Sequence, residues 1–168
     1  NIYFSYLKDI HFYHFLYLII ISKMKNKTID YVLRTTWLAV QKMYNEEASK
    51  FDATMATAFT LLSIDPKKGT SSTSLGPIMG MESTSLSRIL KSLEEQKLII
   101  RNPNPDDGRG VIINLTAKGL EKREDSRQRV FIFNNKIKRE IEREKLDHFY
   151  DVSQIILELI NDKKIFFR

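Results

Sequence analysis

The chain has 168 residues, of which 42% are apolar and 29% charged, and 27 Lys and Arg against 21 Asp and Glu give a formal net charge of +6. That length holds one ordinary domain with a core, or a small domain with helical extensions, and excludes two independent folds; the composition excludes a disordered chain. With no cysteine, disulfide frameworks, thiolate metal sites and cysteine nucleophiles are excluded together; the expected location is cytoplasmic, with which the lack of cysteine is compatible.

Residues 1–23, NIYFSYLKDIHFYHFLYLIIISK, are aromatic and aliphatic. Their uninterrupted apolar part, Phe12 to Ile21 with His14 inside it, is shorter than the ~20 residues of a membrane-spanning helix. A small-residue cleavage site after the apolar run is missing, which argues against a secretory signal. Met24 stands just before a well-patterned helix, so the native start is expected there, with residues 1–23 an upstream or added leader. An apolar extension that packs in a dimer and a membrane anchor are the competing readings; no membrane partner is expected.

From Ile29 the apolar residues Val32, Leu33, Trp37, Val40, Met43 and Tyr44 recur at helical spacing, which predicts a long helix to about Lys50. Thr54 can cap a second helix carrying Ala58, Phe59, Leu61, Leu62 and Ile64. DPKKGTSSTS is a loop by composition. A short helix is expected from about Ser74, with Pro77 in its first turn, where the missing donor costs nothing. Gly80 breaks it, and Ser83 caps a further helix to about Gln96. Two helices joined by a short Gly turn are the signature of a helix-turn-helix.

On that further helix Leu86, Ile89, Leu90 and Leu93 share one face, whereas Thr84, Ser87, Arg88 and Lys91 lie opposite, with Ser83 and Ser85 at the start. A solvated surface face is more typically filled with Glu and Lys. Short hydroxyls instead let a partner approach the backbone, and the Arg and Lys reach phosphates or guanine edges. LIIR and GVIINLT are rich in β-branched residues and predict two strands joined by the turn-rich Asn102–Gly110. From Ala117 a charged helix follows, then a last one carrying Leu146, Phe149, Val152, Ile156, Leu159 and Ile160. These terminal helices carry more apolar surface than a small lobe covers, for which a partner subunit is the usual remedy.

This order resembles the MarR family of winged helix-turn-helix transcriptional regulators from about Ile29 to the C-terminus. TSLSRILKSLEEQKLIIR is similar to the family's recognition helix and the strand after it, Asp107-Gly108-Arg109 to the Asp-x-Arg of its wing tip, and Leu115, Thr116 and Gly119 to the motif closing the wing. The expected fold class is mainly α with a small β-hairpin wing (α+β), a winged helix-turn-helix with N- and C-terminal dimerisation helices. It divides into residues 24–52 for dimerisation, 53–117 as the DNA-binding lobe and 118–168 as C-terminal dimerisation helices. Two positions depart from the family. Lys97 stands where a glycine usually ends the recognition helix, so an altered turn is expected; Gly76-Pro77 is expected to reorient the short helix.

The resemblance implies a homodimer on a pseudo-palindromic double-stranded operator, as a ligand-responsive repressor. Ser83, Thr84, Ser85, Ser87, Arg88 and Lys91 are the expected base and phosphate contacts. Arg109 would enter the minor groove, with Asp107 holding its guanidinium and Gly108 and Gly110 keeping the tip slim. A small apolar or aromatic acid is the implied effector, with Trp37, Tyr44 and Phe59 its candidate pocket. As aromatics on helical faces these three fit an ordinary core as well.

No enzyme is expected. The histidines are His11, His14 and His148, and none is spaced with carboxylates as a metal site. Gly69 to Gly76 lacks the Lys and Ser/Thr of a phosphate loop. The serines of Ser71 to Ser87 have no neighbouring histidine base, although a triad assembled in space stays open. No cofactor, metal or catalytic residue is expected, and a winged-helix module for protein contacts alone is the alternative function.

Overall fold

The computed structural model describes residues 27–105 and 107–166, without the side chains of 107–109. The leader and the expected start at Met24 lie outside the described residues. The described residues form two compact units, one ending at Met55 and the other beginning at Ala56. In the first, α1 (Ile29–Ser49) contains no buried residue. It closes through Asp52, whose φ of 54° is left-handed, and Asn45 Oδ1 accepts from the Met55 amide at 2.9 Å.

The next helix, α2 (Met55–Ser63), leads into the second unit, followed by β1 (Thr70–Ser71), α3 (Ser72–Met79), α4 (Ser83–Glu95), β2 (Ile99–Asn104), β3 (Asp107–Leu115), α5 (Ala117–Glu140) and α6 (Arg143–Asn161). The strands make one antiparallel sheet in the order β1-β3-β2. Its core joins Leu61 of α2, Ile64, Leu75 and Met79 of α3, Leu86, Leu90 and Leu93 of α4, then Leu98, Ile99 and Ile113. Each fully buried leucine or isoleucine adds roughly 1.5–3 kcal/mol of transfer free energy, so this seam sets the pose of α4.

Several local expectations are corrected. The stretch read as a loop contains β1, paired as Thr70 with Ile113 and Ser71 with Ile112. Two residues are too few to show alternation, and the strand is made by its surroundings. Asp65 Oδ1 accepts from the Lys67 and Lys68 amides at 2.8 Å each, and the Asp65 amide donates to Thr70 Oγ1 at 2.9 Å. Gly69, at φ 74°, then passes so close to β3 that a Cβ would overlap Asn114 and Ile112.

The short helix starts at Ser72, not Ser74, and Pro77 lies inside it. Only the carbonyl of Thr73 loses its i+4 donor, and Thr73 is exposed to water. Gly80 ends α3 at φ 60°, and the Met81 amide donates to the Gly76 carbonyl at 3.0 Å. Ser83 is the first residue of α4, not its cap. Glu82 occupies the cap position and makes no side-chain cap bond.

Lys97 adopts the left-handed turn, with φ 59°, so the expected alteration does not occur. The turn is closed by the Lys97 amide on Glu94 and the Leu98 amide on Leu93, both at 2.9 Å. These bonds hold a conformation that costs a lysine on the order of 1 kcal/mol. The wing is also more regular than the turn read over Asn102–Gly110. β2 and β3 pair from Ile99 with Leu115 to Pro103 with Val111, then shift to Asn104 with Asp107. The shift leaves positions 108–110 of β3 opposite no β2 residue, a bulge that bends and twists the strand. Arg109 is therefore in the bulge of β3 and not in the connecting turn.

Thr116 caps α5, its hydroxyl accepting from the Gly119 amide at 3.0 Å. Gly119 is the only buried residue of α5, and α6 has none.

Candidate nucleic-acid interface

Helix α4 separates its two faces cleanly. Leu86, Leu90 and Leu93 are buried and Ile89 half-buried, while Ser83, Thr84, Ser85, Ser87, Arg88 and Lys91 are all exposed. The spacing of 86, 90 and 93 follows the helical period, so burying the leucines forces the hydroxyl and basic residues outward. All six predicted side chains are thus brought onto the accessible surface of one helix.

Their partners leave them available. Arg88 makes no ion pair among the described residues. Lys91 Nζ stands 3.9 Å from Glu95 Oε1 with both side chains well exposed, an arrangement worth little in water and easily exchanged for a phosphate. The Ser87 hydroxyl donates to the Ser83 carbonyl at 2.8 Å and keeps lone pairs for an incoming donor. Because Glu82 leaves the helix start uncapped, first-turn amides stay free for an anionic partner.

The base of the wing is tied to α4 by Arg101, whose Nε donates to Glu94 Oε2 at 2.9 Å. Nothing local in the sequence signals this pair, since its members are seven residues apart across the left-handed turn. Asn102 Nδ2 donates across the hairpin to Asn114 Oδ1 at 3.0 Å. The backbone of Asp107 and Arg109 lies in β3, and their side chains are outside the described residues.

Of the three aromatics read as a pocket, Trp37 and Tyr44 lie seven residues apart on α1, in the first unit. Phe59 lies on α2, in the second. Trp37 and Phe59 are exposed. Tyr44 is half-buried, and desolvation raises its phenol above the usual range.

Among the described residues no group of three or more His, Asp or Glu is placed to hold a metal. No described helix is long and apolar enough to cross a membrane.

Residues 53–111 match the model of the MarR family. Over these residues the chain is similar to the MarR family. The MarR match runs from just before α2 through the wing, so α4 and its exposed face fall inside it. Solved structures share the fold well beyond those residues. A complex of MepR from S. aureus with DNA superimposes with a TM-score of 0.72 at 20% identity, covering 79% of this chain and 98% of that one. A mutant MarR from E. coli complexed with operator DNA gives 0.69 at 22% identity, with coverage of 77% and 92%. CouR from Rhodococcus jostii, bound to p-coumaroyl-CoA, gives 0.69 at 21% identity over the same shares. No curated protein matches the chain. The fold is the winged helix of MarR-type regulators, mostly helical with a small three-stranded sheet.

Proposed function

We propose that the protein is a sequence-specific, double-stranded DNA-binding transcriptional regulator that acts as a cytoplasmic homodimer on a pseudo-palindromic operator. The observation that carries this reading is the exposed hydroxyl and basic face of α4, held outward by the buried leucines inside the region similar to the MarR family. Two structural neighbours, MepR and MarR, are complexes with DNA. In this reading Ser83, Thr84, Ser85 and Ser87 approach base edges, Arg88 and Lys91 contact bases or phosphates, and Arg109, assisted by Asp107, enters the minor groove. The neighbour CouR is bound to p-coumaroyl-CoA, the CoA thioester of an aromatic acid, which supports response to a small-molecule effector; in this reading the effector is a small apolar or aromatic acid that releases a repressor from DNA. Such release requires the acid to bind one lobe spacing more tightly than the other.

The test is a gel shift with the protein's own promoter fragment. Arg88→Ala alone lowers affinity by about five-fold or more, as expected for loss of a base or phosphate contact worth roughly 1–3 kcal/mol. Wild-type affinity falls steeply as salt rises, because phosphate contacts release counterions. An unchanged shift for Arg88→Ala combined with Arg109→Ala overturns the reading and leaves a winged helix used for protein contacts.

A further inference from the structure

The C-terminal end of α4 is held in an unusual way. The carbonyls of Ser92, Leu93 and Glu94 at the end of α4 are taken by the amides of the turn that follows, and the next carbonyls along the chain, those of Gln96, Lys97 and Leu98, are all taken by the start of α5. Lys118 Nζ donates to the Gln96 carbonyl at 3.2 Å. The Thr116 hydroxyl donates toward the Lys97 carbonyl at 2.8 Å and lies 3.2 Å from that of Leu98. The Thr116 amide donates to the Leu98 carbonyl at 3.0 Å. Gly119 lies against the same carbonyl so closely that a Cβ would overlap it. Three consecutive carbonyls are thus gripped by one cap, over a turn that Lys97 holds in left-handed geometry.

We propose that Thr116 and Lys118 are positioning residues for DNA recognition: they fix the angle at which α4 leaves α5, and so the half-site spacing a dimer accepts. The inference rests on the proposed function. The lever is favourable, because the grip is at the C-terminal end of α4 and the base-facing residues begin at Ser83. The buried leucines hold α4 within the winged lobe, and at 1.5 Å per residue α4 is about 20 Å long, so a tilt of about 5° of that lobe at the grip moves the Ser83 end by nearly 2 Å. Two such helices moving in opposite directions change their separation by roughly the ~3.4 Å of one base-pair step. A loosened junction therefore tolerates spacings that a tight one rejects.

The test uses the full chain and the operator obtained by binding-site selection. Anisotropy titrations are run on that operator, on versions with one base pair added or removed between half-sites, and on a single half-site. Lys118→Met removes an exposed donor without touching the core. Thr116→Val removes the hydroxyl, and Thr116→Ser restores it. Wild type is expected to reject the altered spacings by about ten-fold, in the range of a single mismatched step. In Lys118→Met and Thr116→Val that ratio falls to about three-fold or less, half-site affinity stays within about two-fold, and Thr116→Ser recovers the wild-type ratio. Variants that keep the wild-type ratio, or lose half-site and operator affinity in equal proportion, overturn the inference. Failure of wild type to select any sequence instead overturns the proposed function.

Discussion

At the scale of single residues, Gly119 shows what a short motif means physically. It sits in the first turn of α5 beneath the Leu98 carbonyl, and a methyl group there would overlap that oxygen and crowd Leu115. The backbone cannot yield easily, because the Leu98 carbonyl is also fixed by the Thr116 amide. Gly119→Ala is expected to destabilise the protein by about 3 kcal/mol or more, at the upper end for single substitutions. A urea melt checks this, and a loss below about 1 kcal/mol sinks the steric account. The Leu-Thr-x-x-Gly pattern was legible in the sequence by resemblance, but its cause was not, since the clash is with a carbonyl 21 positions upstream. Lys97 failed for the opposite reason. A left-handed lysine carries an intrinsic cost, yet the Lys97 and Leu98 amide bonds to the end of α4 outweigh it.

At the scale of elements, the leucine spacing of α4 survived from sequence to structure because helical period and burial coincide there. Strand β1 was not legible, since its identity comes from Gly69 and Asp65 and from the register of β3, all outside the two residues that form it. The helix expected after Thr54 begins at Met55. The long α5 shows how an element with almost no core is held. Its polar face carries Arg127 Nε and Nη2 on the two oxygens of Glu124 at 2.7 and 2.8 Å, with Gln128 Nε2 on the same carboxylate at 2.6 Å. The Arg127 bonds foremost, then that of Gln128, lower the Glu124 carboxyl from 4.5 to about 2. A depressed carboxyl stabilises the folded state fully above its unfolded value, and that contribution is lost as pH falls from about 4.5 toward about 2. Glu124→Gln is therefore expected to flatten the decline of the melting temperature within that window and to change little at neutral pH. Both side chains are exposed, so added salt shrinks the difference. Parallel acid titrations of the two proteins decide it, and identical slopes refute the assignment.

At the scale of the whole molecule, the described chain leaves an apolar stripe uncovered. Phe149, Val152, Leu159 and Ile160 of α6 are 41–59% exposed, and their spacing places them along one side of the helix. Val130, Phe131 and Ile132 of α5 and Ile29, Leu33 and Trp37 of α1 are exposed as well. An apolar stripe like that of α6 is rare on soluble monomers and common where subunits meet. Its periodicity was legible in the sequence, whereas its exposure was not, because periodicity marks a face without saying what covers it. If a second copy covers α6, folding and association are coupled, and the wild-type melting temperature rises with protein concentration by mass action. Phe149→Lys combined with Leu159→Lys places two charges in the middle of that stripe, where burial without a partner is prohibitive. Sedimentation equilibrium is then expected to show a dimer for wild type and a monomer for the variant. The winged lobe, whose core lies entirely between Leu61 and Ile113, remains folded in that variant. Single half-site affinity is retained accordingly, while the extra affinity for a two-fold operator, which arises from tethering two lobes, disappears. A variant that sediments as wild type removes α6 from the interface.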